Sequence, residues 1–189
     1  MTRIIAGYAG SISLAVPKSG TRPTSDRVRE AIFSALESAD ALAGARVVDL
    51  YAGSGALGLE AASRGAAEVV LVERDAAAAK VCRANAATIR SLAPRGVEPR
   101  IDVVAQPVAA WLGGGAAARW DLAFVDPPYD LSEADLALVL EALAPQLLPD
   151  ATVVLERSTR SPEPTLPAGL ELVRTKSYGE TAVHWLAPR

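Results

Sequence analysis

VVDLYAGSGALG, residues 47–58, is the stretch from which the rest of the chain is read. Val47 and Val48 begin an apolar run that reaches an acid at Asp49 and opens into a turn carrying Gly53, Gly55 and Gly58. Leu57, Leu59, Ala61 and Ala62 follow at helical spacing before Arg64 and Gly65. The pattern predicts a buried strand, a tight turn and a helix start, the setting in which a G-x-G-x-x-G turn binds a ligand. Glycines allow close backbone approach, and a helix N-terminus presents N–H groups that have no partner within the helix. A small polar ligand is expected at this turn, and the glycines alone do not name it.

Around this stretch, 189 residues suffice for one well-cored domain, alone or with a small extension. Half of the residues are hydrophobic, which excludes a disordered chain. The net charge of −3 hides an asymmetry. Residues 1–29 hold Arg3, Lys18, Arg22, Arg27 and Arg29 against Asp26 alone, a balance of +4, and the remainder stands at −7. A basic arm on an acidic body suits a nucleic-acid partner at one end, although a solvated basic segment has the same composition. Cys82 is the single cysteine, so no intrachain disulfide forms, and a reducing compartment is expected. No apolar run reaches the ~18 residues of a membrane span. Ile4 to Val16 is broken by Gly7, Tyr8, Gly10, Ser11 and Ser13, unlike a signal-peptide core. A cytoplasmic protein is expected.

In chain order, residues 3–16 read as a hairpin around Gly7 to Gly10, and 17–23 as a connector. Thr24 or Ser25 caps a helix whose Val28, Ile32 and Leu36 share one face, leaving Arg27 and Arg29 to point elsewhere and stay available. From Arg46 the chain alternates strand and helix. Further strands are expected at 68–73, 100–105, 121–125 and 151–156, with helices at 76–90, near Trp111 and Leu112, and at 133–147. Residues 170–177 and 181–186 read as a closing antiparallel pair. Strands apolar on both faces and spaced by helices predict an α/β fold with a doubly wound, mostly parallel sheet, whose ligands sit at the carboxyl ends of the strands. The glycine turn, Glu73 and Asp126 to Tyr129 all fall at such ends.

Four residues, Asp49 to Ala52, separate strand from glycine, giving D-x-x-x-G-x-G where a dinucleotide turn has its glycine directly after the strand. A carboxylate there disfavours a pyrophosphate and favours an ammonium group. S-adenosylmethionine carries an ammonium and a sulfonium and has no phosphate. Glu73, 20 residues after Gly53, can accept hydrogen bonds from both hydroxyls of a ribose. Asp126-Pro127-Pro128-Tyr129 then indicates the acceptor. Two prolines stiffen the backbone and fix the Asp126 carboxylate and the Pro127 carbonyl as hydrogen-bond acceptors for a planar exocyclic amine. Tyr129 offers a face on which a base can stack.

With these motifs the chain resembles class I S-adenosylmethionine-dependent methyltransferases that act on exocyclic amines, and within them the bacterial 16S ribosomal RNA guanine-N2 methyltransferases. The likeness rests on Arg3 to Gly7 (RIIAG), Arg22-Pro23-Thr24, Arg27 to Leu36 (RVREAIFSAL), Val48 to Gly58, the strand ending at Glu73, and Asp126 to Tyr129. It implies a Rossmann-like seven-stranded sheet over residues 24–189, with residues 1–23 as a basic hairpin arm that contacts RNA. It further implies that Asp49, Tyr51, Ala52, Gly53, Ser54, Gly55, Gly58, Glu73 and Arg74 bind S-adenosylmethionine. Asp126, Pro127, Pro128 and Tyr129 are then the catalytic group, and Arg3, Lys18, Arg22, Thr24 and Arg27 hold 16S RNA, in a 30S particle or its assembly intermediate. A monomer without metal is expected. One departure stands out: many relatives carry an acid or amide facing the adenine after the third strand, where this chain has Ala105-Gln106-Pro107; Gln106 can hydrogen-bond the adenine amine and is carried over as a cofactor contact, while Pro107 can equally fall at that place.

Other readings use the same chemistry or the same turn. A DNA adenine-N6 or cytosine-N4 methyltransferase usually needs an added sequence-reading domain, for which there is no room. A glutamine methyltransferase typically has Asn where Asp126 stands. An NAD-dependent oxidoreductase needs the early glycine, and an RNA-binding module has no use for Asp126 to Tyr129. His184, Trp111, Trp120 and Trp185 read as structural, and Cys82 as inert.

Overall fold

Strands that are apolar on both sides need cover on both sides, and helices supply it. The computed structural model describes residues 2–17, 25–114 and 119–189. Two short strands, β1 (Thr2–Arg3) and β2 (Ser13–Leu14), pair antiparallel. Helix α1 (Asp26–Ser38) leads to β3 (Arg46–Leu50), α2 (Ala56–Ser63), β4 (Glu68–Val72), α3 (Ala76–Ser91), β5 (Arg100–Val104) and α4 (Val108–Gly113). They are followed by β6 (Trp120–Val125), α5 (Glu133–Leu143), β7 (Leu147–Ser158), β8 (Leu170–Tyr178) and β9 (Thr181–Pro188). The main sheet has seven strands in the order β5-β4-β3-β6-β7-β9-β8, and only β9 runs against the others. This is the expected doubly wound α/β architecture, with the small antiparallel pair as an N-terminal addition.

Alternation sorts the strand residues into two cores. Val47, Leu71, Leu122 and Phe124 join α1, α2 and α3, with Phe33 of α1 5.6 Å from Phe124, ring centre to ring centre. Val48, Leu50, Val72 and Val125 join Leu136 and Leu140 of α5 on the other side. Caps set three helix starts: Ser25, Asp75 and Ser132 each accept a backbone N–H from their own first turn. Pro145, which cannot donate into a helix, coincides with a 3-10 turn (Ala144–Gln146), so α5 stops at Leu143 and not at Leu147. Strand β7 begins at Leu147, earlier than the apolar pattern suggested, because its first residues pair with Trp120 across a register shift.

The N-terminal segment makes a two-pair ladder and spends residues 4–12 on turns. It is fastened to α2. The buried carboxylate of Glu60 accepts the N–H groups of Ile5 (2.6 Å) and Ala6 (3.0 Å), and Ser63 Oγ bridges the Ala6 carbonyl and the Ala9 N–H. Arg29 corrects an expectation. It is fully buried, donating to the Arg3 carbonyl at 2.8 Å and to Asp26 at 2.7 Å, with Glu60 3.9 Å away. Its side chain serves packing of the N-terminal segment and is not available to a partner. Arg27 is exposed, as expected.

Candidate functional site

Strand β3 lies between β4 and β6, and the chain leaves it in one direction towards β5 and resumes on its other side at β6. At such a switch point the loops after neighbouring strands diverge and leave a crevice. The register sets Leu50 beside Val72 and Val125, so Tyr51, Glu73 and Asp126 leave the sheet at one level. Sequence separations of 22 to 75 residues close into one cluster.

The glycine loop is sewn to its neighbours by backbone bonds. Ala52 N–H donates to the Val72 carbonyl at 3.0 Å, and Gly53 N–H to Glu73 Oε2 at 2.9 Å. Glu73 Oε1 accepts from Asp75 N–H at 2.8 Å, which holds the carboxylate still. Tyr51, at φ +65°, and Gly55, at φ +83°, turn the chain into α2, whose N-cap Gly55 supplies no side-chain acceptor. Gly58 has a different task from the other two glycines. A Cβ there would lie 2.4 Å from Leu71 Cδ2 and 2.9 Å from Val69 Cγ1, so its bareness lets α2 press onto the sheet. Its N–H donates to Asp49 Oδ2 at 2.9 Å.

Asp49 is almost fully buried, and burial pushes its carboxyl up to about 7, aided by the charges of Asp126 and Glu73 and opposed by the Gly58 N–H. Three carboxylates around one crevice repel one another, and a cationic ligand relieves that repulsion. A dinucleotide pyrophosphate would add to it. The donor set therefore fits S-adenosylmethionine: acids for the ammonium and the ribose diol. Tyr51 is half-buried, its phenol pushed up to about 12 mainly by burial. Arg74 is exposed beside Glu73. Gln106 is exposed just after β5, close to the β4 exit because Glu73 N–H donates to the Val104 carbonyl at 3.0 Å.

Asp126 follows β6 partly exposed, its N–H 3.4 Å from the Leu50 carbonyl. Pro127 is buried, Pro128 intermediate, and Tyr129 is 69% exposed, an aromatic face turned to solvent. The loop is steadied from β7: buried Arg157 pairs with Glu133 and donates to the Leu131 carbonyl at 3.4 Å. Asn85 of α3 similarly donates to the Ser54 carbonyl at 2.9 Å inside the glycine loop. Neither was read from the sequence. Asn85 lies on the buried stripe of α3 with Ala78, Cys82 and Ile89, and an amide in such a stripe was the available signal. Among the expected RNA contacts, Arg3 is exposed and paired with Asp26 at 3.3 Å, and Arg27 is exposed. Lys18, Arg22 and Thr24 lie outside the described residues, as do 115–118 of the alanine-glycine loop.

The family described as Conserved hypothetical protein 95 matches residues 2–187. The chain belongs to this family. It is 36% identical over 181 residues to Ribosomal RNA small subunit methyltransferase D of Escherichia coli strain K12, covering 95% of this chain and 86% of that one. The solved structure of yhhF, proposed as a methyltransferase of Escherichia coli, superposes with a TM-score of 0.84 at 33% identity, covering 100% and 98% of the two chains. The same fold holds S-adenosylmethionine in magnesium protoporphyrin IX methyltransferase (ChlM) of Synechocystis PCC 6803, at a TM-score of 0.64, 15% identity and coverage of 90% and 86%. The chain is thus a class I methyltransferase with S-adenosylmethionine as its cofactor.

Proposed function

We propose that the protein transfers a methyl group from S-adenosylmethionine to the exocyclic N2 amine of a guanine in 16S ribosomal RNA, within a 30S particle or its assembly intermediate. The observation that carries the reading is Asp126-Pro127-Pro128-Tyr129 at the end of β6, beside the glycine loop of β3. When bound, the cofactor supplies an electrophilic methyl on a sulfonium. The Asp126 carboxylate and the Pro127 carbonyl each accept one hydrogen of the amine. These bonds draw the nitrogen lone pair out of conjugation with the ring and aim it outward. Exposed Tyr129 stacks on a base turned out of its helix. The amine loses its proton only after nitrogen has bonded to carbon, so no strong base is needed, and positioning and electrostatics supply the catalysis. Ribosomal RNA as substrate is supported by the Escherichia coli relative's name. Guanine N2 is supported by the N-terminal motifs, RIIAG and RVREAIFSAL, that set the resembled enzymes apart from other amine methyltransferases.

The deciding experiment incubates the protein with labelled S-adenosylmethionine and naked 16S RNA, 30S particles or DNA, followed by nucleoside analysis. N2-methylguanosine from either RNA substrate is the expected product. Label in N6-methyladenine or N4-methylcytosine of DNA would overturn the reading. In the same assay Asp126→Ala should lose at least about 100-fold in rate, the scale of a removed transition-state contact. Cofactor affinity should stay within a few-fold, and full activity in that variant would refute the role given to Asp126.

A further inference from the structure

Helix α3 forms the floor of the glycine loop. A Cβ on Gly55 would lie 3.0 Å from Cys82 Sγ, and one turn further along Asn85 reaches the same loop. The Asn85 side chain is buried and uses both of its N–H groups. Nδ2 donates to the Ser54 carbonyl at 2.9 Å and to the Ala15 carbonyl at 2.9 Å, while Oδ1 accepts the Ala15 N–H at 3.0 Å. These partners fix the orientation of the amide, because a flipped group would set NH2 against an N–H and oxygen against two carbonyls. Ser54 lies between Gly53 and Gly55 in the cofactor loop. Ala15 lies just after β2, where the N-terminal extension runs on towards 18–24 and α1. One buried side chain therefore joins two segments 39 residues apart in the chain.

We propose that Asn85 is a positioning residue that couples the N-terminal extension to the cofactor loop, so that RNA and S-adenosylmethionine bind cooperatively. The inference rests on the reading of residues 1–23 as an RNA contact. If Ala15 withdraws, a buried amide loses two of its three bonds, and the cost of leaving it unpaired favours its leaving Ser54 as well. RNA that restrains the extension holds Asn85 in place, and with it the loop that the cofactor needs. The coupling is reciprocal: each ligand tightens the other by one common factor.

Calorimetric titration of S-adenosylmethionine, with and without saturating 16S RNA, tests it in the full chain. RNA should tighten cofactor binding about fivefold or more in the wild type, the lower range of such couplings, and by less than about twofold in Asn85→Ala. A merely structural Asn85 would lower the melting temperature of the variant and leave the factor unchanged, which overturns the proposal. A wild type that methylates the RNA without any such tightening overturns it too. Should the wild type not methylate that RNA, the substrate reading fails separately. In that case, or if Asn85→Ala does not fold, hydrogen exchange in the wild type without RNA decides. S-adenosylmethionine alone should slow exchange of the Ala15 amide about threefold or more, and unchanged exchange there overturns the coupling.

Discussion

Burial and the neighbouring acids Asp126 and Glu73 raise the pKa of Asp49, which gives the site a measurable pH response. Below about pH 4 the carboxyl is protonated in both folded and unfolded chains. Between there and its folded value of about 7 the folded chain keeps a proton that the unfolded chain loses, so this residue's favourable share of stability fades as pH rises through 7. Cofactor binding has the opposite sign, because an ammonium group prefers the ionised acid. From pH 7 to pH 5.5, affinity for S-adenosylmethionine should fall about tenfold while the melting temperature of the ligand-free protein holds or rises. Calorimetry across that window, repeated on Asp49→Asn, checks both. The variant should show a flat affinity profile, and a wild-type profile that is already flat would remove Asp49 from the cofactor site. Asp26 does not confuse the window, since Arg29 holds its carboxyl below the ordinary value.

Among the elements, α2 carries two functions on eight residues. Its first turn faces the glycine loop, and its last holds the N-terminal segment through Glu60 and Ser63. Arg64 donates to Glu60 at 2.7 Å, pairs with Glu37 at 2.9 Å and stacks 5.0 Å above the Phe33 ring, so α1, α2 and the segment form one polar-lined joint. Removing the acid leaves Arg29 buried without its nearest buried anion and two N–H groups without acceptors. Glu60→Ala should therefore cost about 3–5 kcal/mol, read from denaturant unfolding, and a loss below about 1 kcal/mol would mean that the joint contributes little. The joint also marks where the sequence was legible. The strands, the glycine turn and the acids at Asp49, Glu73 and Asp126 could be read because period-2 and period-3.6 patterns place a strand's end without reference to distant residues. Arg29 and Asn85 were missed for one shared reason. Each sits on the apolar stripe of its helix, Arg29 with Ile32, Phe33 and Leu36, and each meets partners 26 to 70 residues away. A polar residue in such a stripe announces a buried partner and does not say which.

Over the whole molecule, charge is divided in the way the two proposed ligands require. The body stands at −7 and gathers three acids around the crevice at the strand ends, while residues 1–29 stand at +4. Burial of Arg29 against Asp26 takes one cation of that arm out of play, so what remains for a polyanion is Arg3, Lys18, Arg22 and Arg27, with Arg3 partly spent on Asp26 as well. A small set of phosphate contacts gives moderate affinity with a shallow dependence on salt, and selectivity must then come from the folded shape of the RNA. Replacing Arg22 and Arg27 together by alanine should weaken binding to 16S RNA and reduce the slope of log affinity against log salt by roughly 1.5, since each lost contact removes 0.7 to 0.9. S-adenosylmethionine affinity, measured without RNA, should stay within about twofold, because neither residue belongs in sequence to the glycine loop or the strand ends proposed to receive the cofactor. Filter binding at several salt concentrations supplies the slope. If slope and affinity both match the wild type, the arm's charge is solvated surface, and the RNA must be held by another face of the protein.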